Sequence, residues 1–480
     1  MVNQLLIDGQ WRTGSSGVFI DVVDPRNGKV FTKVPVASAE DIEEAVEAAD
    51  RAFKDWSRTN VFKRSAILRR ASRIIEENKE EIGRLMSQEQ GKPALEAIGE
   101  VAKGAEILRY YAEEGERVYG RIIANEDEDT FSTVIYQPIG PCAAISPWNY
   151  PIELLAWKLG AALVSGCTLV CKLPSETPLS PLLFIKYVLE AGVPNGVVNA
   201  ITGPGKMIGP HLLRNPKIKK VAFTGSTAVG KTVLADCTDS LKRSSMELGG
   251  SLPMLVFKDC DLDQAVKGAV RRSFRNMGQI CIAINRIYVE SEIYNEFLEK
   301  FKIATEKLTI GDGLKENVDL GPMCTKQAVV HTKEHIEDGL AKGARLLTGG
   351  EAPVIPGFEE GYWYKPTILA DVNHTMKIMT EETFGPAVGV MAFNGLEEAL
   401  TYANDCIYGL AAIVYTQNLT TANICATEIQ AGNVAINNVD AGVINAPYGG
   451  WKQSGFGHEH GPEGLYEYLN IKHVRIRTIK

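Results

Sequence analysis

Three polar residues in this sequence have side chains suited to one covalent reaction. Cys281 follows a turn-forming glycine, Glu247 stands in an apolar, glycine-flanked setting, and Asn149 lies among aromatic residues and prolines. A thiolate can attack a carbonyl carbon, an amide N–H can stabilise the oxyanion, and a carboxylate can activate the water that cleaves a thioester. Together the three residue types meet the needs of a covalent aldehyde oxidation.

Each of these residues also has a structural interpretation when it is taken alone. Cys281 could be a packed thiol, since free cysteines are among the most buried residues. Glu247 could cap a helix, and Asn149 could order a proline turn. The combination, rather than any single residue, therefore favours chemistry.

A glycine-rich turn between a predicted strand and a predicted helix indicates nucleotide binding. Residues 225–232 fit the Walker A pattern GxxxxGK[ST] at every position. Glycines let the backbone approach a phosphate, and a helix N-terminus presents free N–H groups. Either a nucleoside triphosphate or a dinucleotide pyrophosphate could bind there, and a turn before a buried helix is the structural alternative. A second turn, residues 203–209, lacks the GxGxxG spacing.

The elements that must position these residues follow an α/β pattern. A capping signal at Ser38 and Asp41 precedes a helix predicted over about 42–53, and another helical region covers about 62–114. Strand–helix alternation after residue 138 indicates mostly parallel sheets. The predicted strands are 131–136, 168–171, 197–201, 220–223, 254–257, 286–289 and 469–479.

The bulk composition limits the function classes. The 480 residues, 45% hydrophobic and 23% charged, suggest two or three soluble domains, and a net charge of -8 disfavours nucleic acid as a partner. The most apolar stretch, 159–171, is too short to span a membrane. Nine cysteines form no disulfide framework, and the first residues do not resemble a signal peptide, so we expect a cytoplasmic protein.

The sequence resembles the aldehyde dehydrogenase superfamily over nearly the whole chain. The resemblance rests on blocks in family order: Trp148-Asn149-Tyr150-Pro151, Phe223-Thr224-Gly225-Ser226-Thr227, Glu247-Leu248-Gly249-Gly250, Gly278-Gln279-Ile280-Cys281, Glu381-Glu382-Thr383-Phe384-Gly385-Pro386 and Pro447-Tyr448-Gly449-Gly450. It implies that Cys281 is the nucleophile, that the Asn149 side chain and the Cys281 backbone N–H form the oxyanion hole, and that Glu247 activates the deacylating water. The carboxylate at Glu247 favours a free acid over a CoA thioester as the product.

The resemblance also implies the architecture. We expect an α/β aldehyde dehydrogenase fold with a Rossmann-like cofactor domain over 1–119 and 139–249, a catalytic α/β domain over 250–449, and a small β oligomerisation arm over 120–138 and 462–480. The arm near 121–137 would pair with the 469–479 strand of a neighbouring subunit in a homodimer or homotetramer.

Cofactor contacts are implied for several residues, and one of them bears on the choice between NADP and NAD. Lys172 would reach the adenosine ribose, and NAD-preferring members often carry a glutamate three positions later, where this chain has Ser175. A neutral hydroxyl removes repulsion toward a 2′-phosphate, so NADP is expected and NAD is possible, with Glu176 as a further ribose contact. The implied cofactor residues are Trp148, Lys172, Ser175, Gly205, Gly225, Ser226, Leu248, Glu382 and Phe384, whereas Lys231 has no phosphate role in this family.

For the aldehyde, the sequence is most similar to succinate-semialdehyde dehydrogenases. Arg275 matches their carboxylate-binding arginine, although it could be a structural ion pair, and Trp157 replaces their second arginine, as in enzymes for apolar or cationic aldehydes. With Tyr150 and Tyr448 as further pocket residues, we expect a small polar or anionic aldehyde; a neutral, aromatic or cationic aldehyde is the alternative.

No metal site is expected from the histidines. The pair His331 and His335 lacks the HExxH order and is expected on a solvated helix face, and His458 and His460 are expected on a loop surface.

Two other classes of function remain open. A P-loop NTPase would explain residues 225–232 alone, and a non-enzymatic scaffold of the same fold would be expected to lack Cys281.

Overall fold

A computed structural model describes residues 3–315 and 317–478 of the chain. The predicted capping box is present, because the Ser38 hydroxyl accepts from Asp41 N and the Asp41 carboxylate accepts from Ser38 N. The predicted helical region over 62–114 is three helices, separated at Asn78 and at the left-handed Gly91. The first elements are β1 (Leu5–Ile7), β2 (Gln10–Arg12), β3 (Phe19–Asp24), β4 (Lys29–Pro35), α1 (Ala39–Trp56), α2 (Val61–Glu77), α3 (Lys79–Gln90), α4 (Ala94–Gly115), β5 (Arg121–Ile123) and β6 (Thr130–Pro138).

A mostly parallel sheet follows, as the strand–helix alternation predicts. Its elements are β7 (Pro141–Ile145), α5 (Glu153–Ser165), β8 (Thr168–Lys172), α6 (Leu179–Glu190), β9 (Val198–Ile201), α7 (Gly205–Arg214), β10 (Lys220–Thr224), α8 (Thr227–Cys237) and β11 (Arg243–Glu247). The strand order β9-β8-β7-β10-β11 is parallel throughout, so the carboxyl ends of these strands meet at one edge. Ligands of open α/β sheets bind at this edge.

The rest of the chain contains a second sheet, in the order β14-β15-β16-β13-β12-β18-β19, and all its pairs except β14–β15 are parallel. Strand β21 pairs instead with β11 of the first sheet, and β17 pairs with β20. The elements are β12 (Leu252–Val256), α9 (Leu262–Phe274), β13 (Ile284–Glu290), α10 (Tyr294–Glu306), α11 (Lys326–Ala341), β14 (Arg345–Thr348), β15 (Thr367–Ala370), α12 (Lys377–Thr380), β16 (Ala387–Phe393), α13 (Gly395–Asn404), β17 (Tyr408–Gly409), β18 (Ala411–Tyr415), α14 (Leu419–Glu428), β19 (Asn433–Ile436), β20 (Trp451–Lys452), β21 (Gly455–Phe456), α15 (Gly461–Tyr466) and β22 (Leu469–Arg477). Each sheet packs against its own apolar core.

The small third sheet corrects one expectation. Strand β22 pairs with β6 of the same chain, from Leu469 opposite Pro138 to Arg477 opposite Thr130, whereas the sequence predicted that β6 would pair with this strand of a neighbouring subunit. The reason is local: α15 returns the chain beside β6, where the rings of Tyr136 and Tyr466 lie 5.0 Å apart. Ile479 and Lys480, the end of the predicted strand and arm, lie outside the described residues. Within 3–315 and 317–478, every helix is too short or too polar to cross a membrane.

Candidate active site

The loop that carries Cys281 is held by its own side chains after α9 ends. Asn276 and Met277 are both buried and take left-handed backbone angles, with φ of 48° and 57°. Such residues cost free energy and persist where the surroundings enforce them. The Gln279 amide does so here, donating to Asn276 O at 3.0 Å and accepting from Cys324 N at 2.9 Å. The loop therefore presents Cys281 in a fixed position.

Cys281 lies where two cavities meet. One cavity, of about 350 Å³, and a second, of about 260 Å³, share Asn149, Leu154 and Cys281 in their walls. Burial raises the pKa of the Cys281 thiol to about 12, although its contact with Tyr448 lowers it. The sulfur therefore rests as a thiol that can be reached from both sides.

Asn149 is tied to the same loop. Its Nδ2 donates to Gln279 O at 3.0 Å, which uses one of its two amide hydrogens and leaves the other available. Its backbone carbonyl accepts from the Lys92 ammonium at 2.7 Å and from Asn276 Nδ2 at 3.1 Å. The buried Lys92 also pairs with Glu100 at 2.6 Å. An amide donor beside the sulfur is thus held by two separate segments of the chain, the loop that carries Cys281 and the segment of Lys92.

Glu247 ends β11 and is a buried carboxylate without a partner. It is 4% exposed, and within the described residues neither carboxyl oxygen has a hydrogen-bond partner. Burial and then repulsion from Glu459 raise its pKa well above the usual value, against the attraction of Lys158. Lys158 itself is held by Glu459 and the Thr224 hydroxyl, each at 2.6 Å. An unpartnered carboxylate with a raised pKa is typical of a general base.

The smaller cavity gathers six of the nine predicted cofactor residues: Trp148, Gly225, Ser226, Leu248, Glu382 and Phe384, together with Glu247. The Glu382 carboxylate accepts from Gly250 N at 3.2 Å, and a Cβ at Gly249 would lie 2.2 Å from this carboxylate, so a larger residue there would displace it. The Trp148 and Phe384 rings meet edge to face at 5.4 Å.

The other three predicted cofactor residues lie at the carboxyl edge of the first sheet. Lys172 ends β8, Ser175 follows it and donates to Gly203 O at 3.1 Å, and Gly205 begins α7. Lys172 is 9% exposed, and within the described ranges it forms no salt bridge. This edge of the sheet could hold an extended dinucleotide. It has a cation at one end, a glycine turn before α8 in the middle, and an aromatic wall at the other end.

The Walker A match does not form a P-loop. Residues 227–232 already belong to α8, which the Ser226 hydroxyl caps by accepting from Val229 N. Lys231 donates to the Gln453 side chain at 2.9 Å on the exposed surface. Because no loop is left to wrap a β-phosphate, the nucleoside triphosphatase interpretation is wrong.

The larger cavity contains the four predicted substrate residues, Arg275, Trp157, Tyr150 and Tyr448. Arg275 Nε donates to Glu96 at 3.0 Å, and the Tyr150 hydroxyl donates to the same oxygen at 2.9 Å. The structural ion pair that the sequence left open is therefore present, yet the arginine also lines the cavity. Trp157 is fully buried in the wall.

Among the residues of this cavity that sequence reasoning missed are Arg272 and His460. Arg272, in the last turn of α9, pairs with Asp440, and its place three residues before Arg275 was a usable signal. The expected loop-surface position of His460 is wrong: burial lowers its pKa to about 3, and its ring stacks 3.6 Å from Trp157 and 4.9 Å from Tyr448. No local pattern in the sequence shows this long-range stacking.

The other histidine expectation is also corrected. His335 is fully buried and bonds to the Thr383 hydroxyl, because α11 packs on the segment before Phe384 rather than facing solvent. His331 lines the smaller cavity and contacts the Glu382 carbonyl at 3.2 Å. In the part of the chain that the structure describes, no three His, Cys, Asp or Glu side chains are grouped to hold a metal ion.

Comparisons with known proteins agree with this geometry. The model of the aldehyde dehydrogenase family matches residues 11–474. The NADP(+) succinate-semialdehyde dehydrogenase of Escherichia coli is 41% identical over 98% of this chain and 97% of its own length, and a glutarate-semialdehyde dehydrogenase of Pseudomonas putida is 40% identical over the same shares. A crystal structure described as an E. coli NADP-dependent enzyme superposes with a TM-score of 0.97 and 41% identity, covering 99% of this chain and 98% of that one. The expected fold is therefore confirmed, and this chain belongs to the aldehyde dehydrogenase family.

Proposed function

We propose that this protein oxidises a small anionic aldehyde, such as a dicarboxylic semialdehyde, to the free acid with NADP as the electron acceptor. One observation carries the proposal. Cys281 stands between a cavity that contains two arginines and a cavity that contains the unpartnered Glu247 and the predicted cofactor residues.

The chain's own residues supply the covalent steps. The Cys281 thiol gives its proton to water, the resulting thiolate attacks the aldehyde carbon, and the oxyanion accepts hydrogen bonds from Asn149 Nδ2 and the Cys281 backbone N–H. NADP, when bound, provides the acceptor for the hydride that this carbon loses. The carbon then remains on the sulfur as a thioester. Glu247 takes a proton from water, the hydroxide attacks the thioester carbon, and the acid leaves as the thiol is restored.

The anionic substrate is supported by Arg275 and Arg272, which bring two guanidinium groups to one cavity wall. Within the described residues, Arg275 is held through Nε, which leaves its terminal nitrogens available for a carboxylate fork. The semialdehyde names of the relatives agree with this choice. The ring surfaces of Trp157, Tyr150 and Tyr448 support the second candidate, a neutral, aromatic or cationic aldehyde.

The preference for NADP is supported by charge. Lys172 and the neutral Ser175 lie at the carboxyl edge of the first sheet, where a 2′-phosphate would meet a cation and no carboxylate at position 175. Burial lowers the pKa of the Lys172 ammonium, and the charge of the exposed Glu176, next along the chain from Ser175, raises it. The Escherichia coli relative carries NADP(+) in its name.

The test is an absorbance assay for reduced nicotinamide with NADP or NAD and five aldehydes: succinate semialdehyde, glutarate semialdehyde, lactaldehyde, betaine aldehyde and benzaldehyde. We expect the highest kcat/KM with NADP and one of the two semialdehydes, and no activity in Cys281→Ser. Highest kcat/KM with betaine aldehyde or benzaldehyde would replace the proposed substrate class. Full activity of Cys281→Ser would reject the mechanism.

We also propose a cytoplasmic homodimer or homotetramer with the cofactor domain, catalytic domain and arm divided as the sequence predicts. All nine cysteines are free, as in a reducing compartment. The three-stranded sheet leaves Ile122, Phe131, Ile471 and Ile476 exposed, which supports an assembly role for the arm. Light scattering after size-exclusion chromatography measures the state, and a monomer at micromolar concentration would contradict it.

A further inference from the structure

We propose that Tyr448 is a further catalytic residue whose phenol hydroxyl donates a hydrogen bond to the Cys281 thiolate and so stabilises the nucleophile. This inference rests on the proposed role of Cys281. It concerns the sulfur before any aldehyde binds, so it goes beyond a pocket-lining role for the tyrosine.

The Tyr448 ring is fixed by its backbone and by its neighbours. Backbone bonds of 2.9 and 2.8 Å in both directions join Tyr448 to Glu459. The ring lies nearly parallel to His460, at 19° and 4.9 Å, and His460 lies nearly parallel to Trp157, at 17° and 3.6 Å. A stack of three rings, from α5 to the loop after β19, therefore fixes the orientation of the Tyr448 hydroxyl.

The hydroxyl at the end of this stack contacts the sulfur. Tyr448 Oη lies 3.7 Å from Cys281 Sγ, and within residues 3–315 and 317–478 it has no other hydrogen-bond partner. A neutral thiol can donate or accept in this pair, but a thiolate has no hydrogen and can only accept. Ionisation of Cys281 therefore fixes the tyrosine as the donor and strengthens the bond. Because burial raises the pKa of Tyr448 well above its usual value, the hydroxyl keeps its proton.

The remaining charges near the sulfur show why a donor is needed. Glu382 and Glu247 raise the pKa of the Cys281 thiol, and Arg272 on α9 lowers it. Other ionisable groups reach the two cavities from α4, α5, the end of α9, α11, the loop after β19 and the start of α15: Glu100, Lys103, Glu153, Arg275, His331, Asp440 and His460. A Tyr448→Phe variant leaves all of them and the ring stack in place, so it isolates one hydroxyl.

The experiment follows alkylation of Cys281 by iodoacetamide across pH in the full-length protein, by mass spectrometry of the peptide that contains it. Tyr187→Phe is the matched control, since it loses a hydroxyl that bonds Glu81 outside both cavities. We expect the alkylation midpoint in Tyr448→Phe to rise by about one pH unit, with about tenfold slower alkylation at neutral pH, and no shift in Tyr187→Phe. The kcat for aldehyde oxidation should fall while KM changes little.

An unchanged midpoint in folded Tyr448→Phe would overturn the inference. Thiolate absorbance, taken as the difference between Tyr448→Phe and its double variant with Cys281→Ser, gives the midpoint without a reagent and must shift in the same direction. If Cys281→Ser oxidised aldehydes, the proposed function would fail, yet the alkylation midpoint would still decide whether the hydroxyl stabilises the thiolate.

Discussion

The Asn149 amide donates to the carbonyl of Gln279, two residues before Cys281, at 3.0 Å. This bond sets the distance between the proposed oxyanion donor and the nucleophile, because both are then parts of one hydrogen-bonded loop. The Gln279 side chain anchors the same loop to Cys324. Donor and nucleophile therefore keep their spacing before a substrate arrives, which is the preorganisation that oxyanion stabilisation requires.

Removing that donor should slow the chemistry more than it weakens binding. We expect Asn149→Ala to lower kcat by about a hundredfold to a thousandfold, as loss of an oxyanion donor does elsewhere. The KM for the aldehyde should change by less than about threefold, because the donor acts on charge that develops after binding. Steady-state kinetics measure both. A kcat within about threefold of wild type would assign Asn149 a purely structural role.

Glu247→Gln should separate acylation from deacylation. A glutamine cannot take a proton from water, so the first turnover should release reduced nicotinamide in a burst and the thioester should then persist. Stopped-flow absorbance detects the burst, and intact-protein mass spectrometry detects the acyl group on Cys281. Cys281→Ser/Glu247→Gln provides the blank. Linear progress with no burst and no added mass would contradict the assignment.

The same variant should change how stability depends on pH. The pKa of Glu247 in the folded protein is raised above its usual value of 4.5, so ionisation of this carboxyl lowers the free energy of unfolding. Wild-type stability should therefore fall as pH rises from about 4.5 through the folded pKa, and this contribution disappears in Glu247→Gln. The difference between the melting temperature of Glu247→Gln and that of the wild type should therefore grow as pH rises. The exposed Glu397→Gln serves as the control, and a constant difference would argue against a buried, unpartnered carboxylate.

Arginine substitutions should separate anionic from neutral aldehydes. Arg275→Ala should raise KM for succinate semialdehyde by roughly tenfold to a hundredfold, the loss of about 1.5–3 kcal/mol of charged hydrogen bonding, with far less effect on a neutral aldehyde. Arg272→Ala should act in the same direction. Arg271→Ala is the matched control, since it pairs with the same Asp440 yet lies outside the larger cavity. Equal changes for charged and neutral substrates would defeat the anionic assignment.

Cofactor choice should respond to a charge at position 175. Ser175→Glu should raise KM for NADP by about tenfold or more and leave KM for NAD equal or lower, because the carboxylate repels a 2′-phosphate. Ser175→Ala removes the bond to Gly203 O without adding charge and serves as the control. An unchanged ratio of the two KM values in Ser175→Glu would place the 2′-position elsewhere.

Much of the fold was predictable because the local signals there agree with the tertiary structure. The capping box at Ser38 and the strands before Lys172 and Gly225 depend on neighbouring residues along the chain, and the structure contains them. The pairing of β22 with β6 was predicted between subunits instead, because a strand pattern does not say which chain its partner belongs to.

The site was predictable to the extent that its residues lie in short blocks. Cys281, Glu247 and Asn149 each lie in such a block, and the structure brings all three to one cavity. The position of His460 in the cavity wall could not be predicted from the sequence. Its ring stacks on Trp157, about three hundred positions away, and such a contact produces no periodic pattern in the sequence. His335 was misread for a related reason: its burial depends on the segment that carries Thr383, far along the chain.

The carboxylate of Glu247 borders the smaller of the two chambers around Cys281 and not the larger one. In the proposed mechanism, its water would therefore approach the acylated sulfur from the side on which the dinucleotide is proposed to lie, while the arginines of the larger chamber would hold the acyl tail on the other. A nicotinamide held by the residues of this chamber would share its space with that water, so Glu247 could act on the water only where the ring leaves room.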